Sequence, residues 1–316
     1  MKRFLVLFLF AFSFQAAARD FPERPVRLIV PLPPGGATDV VARLVAQKLS
    51  DAWGQPVVLE HKPGGGTVIG AQAVAAAPPD GHTLGIVISA LTINPSLRKD
   101  LPYDTLKDFA PLTQIGNTVM ALVAAADFPA GDLRGLIAEA KKAPGAIAYA
   151  SLGVGTGTHL AGELLKMRAG VDLLHVPYAG SAPAYKDMLG GRVPLGFVLL
   201  QSALPHVKAG RLKVIGVTSA KRSDAYPEFP ALAEALPGYS VDSMFGLVAP
   251  GATPKDLVRR IGADAGAALR DPALKVRLAE LGIDVVASSP DEFGAFIRAE
   301  IGKWTPVVKA SGAQPD

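Results

Sequence analysis

The sequence predicts an α/β protein in which parallel β-sheets are covered by helices. Three observations predict this fold class. Short β-branched runs alternate with segments that carry apolar residues at helical spacing. Glycine-rich loops stand where a strand leads into a helix. The length of 316 residues corresponds to roughly two domains, at about 150 residues each.

The first third of the chain shows the alternation clearly. Strands are predicted at residues 26–30, 57–60 and 83–88. The first strand leads into a proline- and glycine-rich loop that cannot be regular structure. A helix is predicted from Asp39, with Thr38 as its N-cap and Gly54 as its end. A helix of small residues over 69–77 follows the second strand.

The same alternation continues to the C-terminus. Further strands are predicted at 119–125, 147–150, 173–176, 195–199, 213–217 and 245–249. Further helices are predicted at 133–142, 159–168, 182–189, 254–269, 272–281 and 290–304. No repeat of fixed period is present, which excludes a solenoid.

Composition excludes several classes of protein. With 49% hydrophobic and 19% charged residues, the chain does not have the composition of a disordered protein. It has no cysteine, which excludes a disulfide, a thiolate metal site and a cysteine nucleophile. The formal net charge is only +4, and the basic residues occur in pairs rather than runs. Without a basic stripe or an RNA-binding motif, no nucleic-acid partner is expected.

The N-terminus has the pattern of a secretory signal peptide. Lys2 and Arg3 precede an apolar stretch over 5–14, and three alanines at 16–18 follow it. The stretch of about ten residues is too short to cross a bilayer core of ~30 Å as an anchor helix. The sequence therefore predicts a signal peptide over residues 1–18, cleaved before Arg19, and export to a periplasm-like compartment.

Three strand-to-helix junctions are rich in glycine and hydroxyl residues. They cover residues 34–38, 64–67 and 151–158. A helix N-terminus offers unpaired N–H groups and a partial positive charge, and glycine lets an anion approach the backbone. Each loop taken alone could be a tight turn, but three together favour a site for a small anion. None of them contains arginine, so neutral donors are expected to hold that anion.

Motifs for catalysis are weak or missing from the sequence. The glycines at 153, 155 and 157 do not follow the dinucleotide-binding spacing, and no phosphate-binding P-loop or HExxH zinc motif is present. The five histidines have no metal-ligand spacing, and no GxSxG nucleophile motif occurs. His159 differs from the other histidines because it begins a helix beside a glycine loop, where it could take part in ligand binding.

Several segments carry a resemblance to one family of proteins. They are residues 30–43, 63–70, 79–84, 101–111, 149–160, 175–180, 190–193 and 249–254. Together they run across nearly all of the chain that follows the signal peptide. On these motifs the sequence resembles the Bug (TctC-like) family, the extracytoplasmic solute receptors of tripartite tricarboxylate transporters.

The resemblance implies a two-lobed periplasmic binding protein of type II-like fold, with two crossover strands and a ligand cleft between the lobes. One lobe is expected to hold residues 19–122 and 239–316, and the other residues 123–238. The resemblance and the split topology together predict closure of the lobes by hinge motion near Leu122 and residues 237–239.

The resemblance also implies a small carboxylate ligand held by backbone N–H groups and hydroxyls. The residues that match the family's binding loops are Pro34, Gly35, Gly36, Thr38, Ser89, Ala90, Ser151, Gly155, Thr156, His159, Ala179 and Gly180. The glycine loops point independently to the residues at 34–38 and at 151–159. Ser89, Ala90, Ala179 and Gly180 rest on the resemblance alone. No catalytic residue, metal or cofactor is expected.

The expected partners are the large and small membrane subunits of a transporter, with the receptor itself a monomer. One alternative is a sensor whose closed form docks on a membrane kinase. Another is a secreted hydrolase, which the lack of a Ser–His–acid motif disfavours. Many relatives have a tryptophan before the last strand, where this chain has Met244, Phe245 and Gly246, so a softer and differently shaped cleft wall is expected if that tryptophan lines the cleft.

Overall fold

The computed structural model describes residues 21–178 and 180–314. The predicted signal peptide therefore lies outside the described residues, as does Ala179. The described residues form eleven β-strands: β1 (Val26–Val30), β2 (Val57–His61), β3 (Thr83–Ile88), β4 (Phe109–Thr118), β5 (Met120–Ala125), β6 (Ala148–Ser151), β7 (Leu174–Pro177), β8 (Leu195–Leu199), β9 (Leu212–Val217), β10 (Ser243–Pro250) and β11 (Ile283–Val285).

The same residues form ten α-helices: α1 (Ala37–Trp53), α2 (Val68–Ala75), α3 (Ala90–Leu97), α4 (Leu133–Lys142), α5 (Gly157–Ala169), α6 (Ser181–Leu189), α7 (Leu200–Lys208), α8 (Lys255–Leu269), α9 (Pro272–Glu280) and α10 (Pro290–Ser311). None of the helices in this part of the chain has the length and apolar character needed to cross a membrane.

The strands form two sheets, which confirms the predicted α/β class. The first sheet has the order β11-β4-β10-β3-β1-β2, and the second has the order β7-β6-β8-β5-β9. In the first sheet β1 pairs in parallel with β2 and β3, and in the second β6 pairs in parallel with β7 and β8. The strands β10 and β5 run antiparallel to both of their neighbours.

Two chain segments connect the sheets. The chain leaves the first sheet at Thr118 and enters the second at Met120, so that the crossing takes place at Val119. On the return, Val241 N–H donates to Thr218 O (2.8 Å), and Thr218 N–H donates to Met120 O (2.9 Å). The two crossing segments are thus hydrogen-bonded to each other. The division into lobes at residues 122 and 238 stays a prediction.

Two residues at the expected hinge positions, Leu122 and Tyr239, are buried, whereas Pro237 and Gly238 are exposed. Leu122 lies inside β5, paired with both β8 and β9, and is fully buried. Tyr239 is also buried, and its hydroxyl donates to Ala161 O at 3.0 Å. Backbone rotation at either residue would break contacts within the second lobe. The hinge near these residues stays a prediction, and the crossing between the sheets itself is the single residue Val119.

The long C-terminal helix α10 packs against both sheets. Its 22 residues span about 33 Å at 1.5 Å per residue. Near its start, Phe293 and Ile297 join the core on one face of the first sheet. Near its end, Trp304, Val307 and Val308 join a core formed mainly by the second sheet and its helices. The helix therefore links the two sheets in addition to the crossing segments.

Most predicted elements are confirmed, but one cap was wrong and four elements were missed. Thr38 does not cap α1, because Gly36 holds the N-cap position and Thr38 is buried inside the first turn. The missed elements are α3, α7, β4 and β11. Strand β4 was not predicted because it contains polar residues such as Thr113 and Gln114. Both are buried and hydrogen-bonded to Ser288. Helix α3 contains Pro95, which argues against a helix in sequence.

Candidate functional site

The predicted site residues all follow parallel strands. In the first sheet, strand β1 is followed by Pro34, Gly35, Gly36 and Thr38, and strand β3 is followed by Ser89 and Ala90. In the second sheet, strand β6 ends at Ser151 and is followed by Gly155, Thr156 and His159, and strand β7 is followed by Gly180. Strands β1 and β3 are paired neighbours, as are β6 and β7. The structure therefore brings each group to the carboxyl edge of its sheet, where α/β proteins bind ligands.

The first loop is held by a buried carboxylate that the sequence analysis missed. Gly35 N–H donates to Asp39 Oδ2 at 2.9 Å, and Arg43 Nε donates to the same oxygen at 3.1 Å. His61 Nε2 lies 2.8 Å from Asp39 Oδ1. These contacts lower the pKa of Asp39 to about 2, with the Gly35 hydrogen bond as the largest cause. Asp39 thus fixes the loop, and the N–H of Gly35 is already in use. The sequence did contain a signal for this role, because Asp39 is an acidic residue in the first turn of a predicted helix, where a negative charge is stabilised.

The Ser89 hydroxyl connects the end of β3 to the returning chain segment. It donates to Asp242 O at 3.2 Å and accepts from Met244 N–H at 2.9 Å. This pair of bonds fixes the start of α3 against the start of β10. Met244 itself is 1% exposed and packs with Phe293 and Ile297. Its side chain is therefore part of the core, and the softer cleft wall considered for it does not arise.

In the second sheet, the loop after β6 is closed by its own hydroxyl groups. Thr156 Oγ1 donates to Gly153 O at 2.7 Å and accepts from His159 N–H at 3.3 Å, which makes Thr156 the N-cap of α5. Gly155 N–H donates to His159 Nδ1 at 3.0 Å. The loop, the cap and the imidazole therefore form one hydrogen-bonded unit. Because His159 Nδ1 accepts, the neutral ring carries its proton on Nε2.

Two imidazole rings stack below this loop. The centroids of His159 and His175 lie 3.9 Å apart with an interplanar angle of 14°, and Tyr149 stacks on the other side of His175. Burial is the largest cause that lowers the pKa of each histidine to about 4. Glu163 borders the stack, where it accepts from Tyr149 Oη at 2.7 Å and from Lys166 Nζ at 3.2 Å. Both imidazoles are consequently neutral at pH 7.

Ser151 and His175 form a contact that a hydrolase could use. Ser151 Oγ lies 2.7 Å from His175 Nε2. Ser151 is however completely buried, which denies a substrate access to its hydroxyl. Within residues 21–178 and 180–314 no carboxylate is hydrogen-bonded to His175, so no group orients it as a base. The pair therefore supports the loop and does not supply a nucleophile.

The end of α3 lies between a loop of the first sheet and a loop of the second. A Cβ at Gly155 would be 3.0 Å from Leu97 Cδ2, and a Cβ at Gly66 would be 2.9 Å from a terminal nitrogen of Arg98. The loop around Gly66 is unusual because four successive residues, Gly64 to Thr67, have positive φ, and the last of them, Thr67, has a φ of 77°. A β-branched residue rarely adopts this conformation.

A cleft of about 390 Å³ lies beside the crossing segments. Asn117, Val119, Thr218, Asp242 and Asp284 are among the residues that line it. Of the predicted site residues that the structure describes, none lines this cleft, although Ser89 donates to the carbonyl of Asp242, which does. Burial raises the pKa of Asp242, to which Asn117 Nδ2 donates at 3.4 Å.

Comparison with known proteins agrees with this architecture. Residues 41–313 match the family described as "Tripartite tricarboxylate transporter family receptor". Protein BugT of Bordetella pertussis (strain Tohama I) is 36% identical over 301 residues, which are 94% of this chain and 92% of that protein.

Two solved structures of similar proteins were determined with carboxylates. R. palustris Rpa4515 with adipate is 34% identical, with a TM-score of 0.75 over 94% of this chain and 100% of that one. MatC from Rhodopseudomonas palustris with bound malate is 31% identical, with a TM-score of 0.71 over 91% and 100% of the two chains. The match to the family covers most of the chain, and these similarities extend over nearly all of it. The chain therefore belongs to the Bug (TctC) family of solute-binding receptors of tripartite tricarboxylate transporters.

Proposed function

We propose that this protein is a periplasmic solute-binding protein that captures a small carboxylate and delivers it to the large and small subunits of a membrane transporter. The observation that carries the proposal is the position of the predicted loops at the carboxyl ends of parallel strands in both sheets. Two similar proteins were solved with adipate and with malate, which supports a carboxylate ligand. The pattern of residues 1–18 supports export.

The proposed ligand-binding residues are those of the four loops, Ala179 among them. Loop N–H groups and hydroxyls would hold the carboxylate, and the lobes would close over it. The crossing at Val119 and the return near Val241 are the proposed pivots, since they are the segments that join the sheets. The contacts of α10 with both sheets would limit how far the lobes can separate.

A thermal-shift screen of the exported protein tests the proposal. The panel contains adipate, malate, succinate, citrate, aspartate and benzoate. A ligand present at 100 times its Kd adds ~2.7 kcal/mol to the free energy of unfolding. For a protein of this size we expect the Tm to rise by roughly 5–10 °C with at least one acid. The matching alcohols, which lack the carboxylate, serve as controls and should leave the Tm unchanged.

Absence of a shift with every acid, together with an empty protein in native mass spectrometry, would contradict carboxylate binding. Transport is tested separately, by uptake of the radiolabelled acid into cells that lack this gene. Loss of uptake is expected for a transport receptor. Normal uptake with loss of a transcriptional response to the acid would favour the sensor alternative.

Thr156→Val should weaken binding of the acid found in the screen. The hydroxyl closes the loop through Gly153 O and caps α5, so its loss removes both contacts. We expect a loss of binding free energy of about 1–3 kcal/mol, the order of the cost when a buried hydrogen-bonding group of the loop loses its partner. Isothermal titration calorimetry measures it. Thr156→Ser keeps the hydroxyl and should bind nearly as the wild type; equal affinity of both variants would remove the hydroxyl from the site.

A further inference from the structure

Arg98, the residue that follows helix α3, has no counter-charge among the residues that the structure describes. Arg98 follows the last turn of α3 and is half-buried. Its Nε is buried and has no hydrogen-bond acceptor among the residues that the structure describes. The described part of the chain likewise provides no carboxylate in an ion pair with it. Leaving a guanidinium partly buried and unpaired is costly, and a ligand could supply the missing partner.

The surroundings of Arg98 place it beside the proposed cleft. One terminal nitrogen packs against Gly66, at a position that any side chain would occupy. The preceding residue, Leu97, contacts Gly155 of the second-lobe loop. Helix α3, which ends here, begins at Ala90 of the proposed site. The guanidinium therefore lies against the Gly66 loop, one residue after the side chain that reaches the Gly155 loop and about 12 Å along α3 from its first residue.

The second glycine loop is built to accommodate this side chain. Gly64, Gly65, Gly66 and Thr67 all have positive φ, and Thr67 is buried. The glycines adopt this conformation without steric cost, but the β-branched Thr67 is strained there, and strain of this kind is concentrated at ligand sites. Asn94 Nδ2 donates to Gly66 O at 3.1 Å and thereby ties the loop to α3. Burial raises the pKa of the adjacent Tyr103, an effect that the positive charge of Arg98 opposes. Tyr103 thus remains a neutral phenol beside the guanidinium.

We propose that Arg98 is a specificity-determining residue of the proposed site and binds the second carboxylate of a dicarboxylate ligand. This inference rests on the proposed function. The neutral loops would hold one carboxylate, and the guanidinium would hold the other through paired N–H···O bonds, a geometry that arginine forms with carboxylates. A monocarboxylate of the same length would leave Arg98 without a partner. The site would therefore select dianions.

The test compares acids that differ only in the second carboxylate. Adipate is paired with hexanoate and succinate with butyrate, and calorimetry measures the Kd of each for the wild type, Arg98→Gln, Arg98→Lys and Lys99→Gln. Lys99 is the exposed neighbour, so its variant removes the same charge without removing the contact. We expect the wild type to prefer a diacid, and Arg98→Gln to lose on the order of tenfold or more in affinity for it alone. Arg98→Lys should lose less, and Lys99→Gln should match the wild type.

Three results would overturn the inference. Equal losses for the diacid and its monoacid in Arg98→Gln would show a structural role only, and unchanged affinities would show no role. A wild type that binds monoacids but no diacid would overturn the role of Arg98 and leave the proposed function standing. A wild type that binds no acid would overturn both. The Tm of each variant without ligand confirms that it is folded.

Discussion

Gly162→Ala should lower the free energy of unfolding by about 3 kcal/mol or more, because overpacking a rigid core has costs of this order. A Cβ at Gly162 would lie far inside contact distance of the Tyr149 ring. That ring cannot withdraw, since it is completely buried between His175 and Phe197. Its hydroxyl is also held by Glu163. In thermal unfolding we expect the Tm to fall by ~6–12 °C.

Gly302→Ala is the matched control for this substitution. Gly302 also lies inside a helix, α10, but it is exposed, and a Cβ there would meet no atom within 4 Å. Because alanine is the better helix former, this variant should be more stable by up to ~1 kcal/mol. The two variants change the same atoms and should move the Tm in opposite directions. A Gly162→Ala protein as stable as the wild type would show that Tyr149 is free to move.

Acidification from pH 7 to pH 4 should destabilise the protein through its stacked histidines. Unfolded His159 titrates near 6.5, whereas burial lowers its pKa in the folded protein to about 4. Between these values the unfolded chain binds the additional proton, so stability is full above pH 6.5 and falls as the pH drops towards 4. The difference corresponds to about 3 kcal/mol. His175, stacked on His159, acts in the same direction. Urea unfolding at a series of pH values measures this loss.

The groups around the stack define the controls. Ser151, Glu163 and Lys166 border the two rings, and none of them is changed in the test. His159→Asn should flatten the pH dependence of stability between pH 4 and 6.5, whereas Gly302→Ala, which removes no titratable group, should leave it unchanged. Burial raises the pKa of Asp242 and of Glu300, so these carboxyls act in the opposite direction in every variant. An identical slope in wild type and His159→Asn would contradict the assignment.

Local patterns explain how much could be predicted. The strands at Thr83–Ile88 and Leu195–Leu199 and the helix at Leu133–Lys142 have the predicted bounds, because their apolar periodicity is not interrupted. Apolar periodicity did not predict an element where polar residues are buried and hydrogen-bonded to partners distant in the chain. Thr113 is fully buried in β4 because its hydroxyl reaches Ser288 O, 175 positions away, and no local signal contains that contact.

In the candidate site too, features with a local signal in the sequence were predicted, and features that depend on distant contacts were missed. Glycine and hydroxyl residues between a strand and a helix are a local signal, and they led directly to Gly35 and Thr156. The role of Asp39 was missed because it depends on the return of the chain to His61 and on the fold of its own loop. The expectation that only neutral groups hold the anion considered the loops alone. Arg98 comes from the end of another helix and meets a glycine loop only after α3 has packed.

The sequence by itself determined the α/β class, the strand-to-helix loops and the resemblance to a family of solute receptors. All three depend on residue order over short stretches, where backbone conformation is set by neighbouring side chains. Only the tertiary structure decided that His159 stacks on His175, that α10 joins both sheets and that the buried Nε of Arg98 has no acceptor among the described residues. These contacts join residues distant in the chain, and they form only when burial of apolar surface selects one packing of the elements.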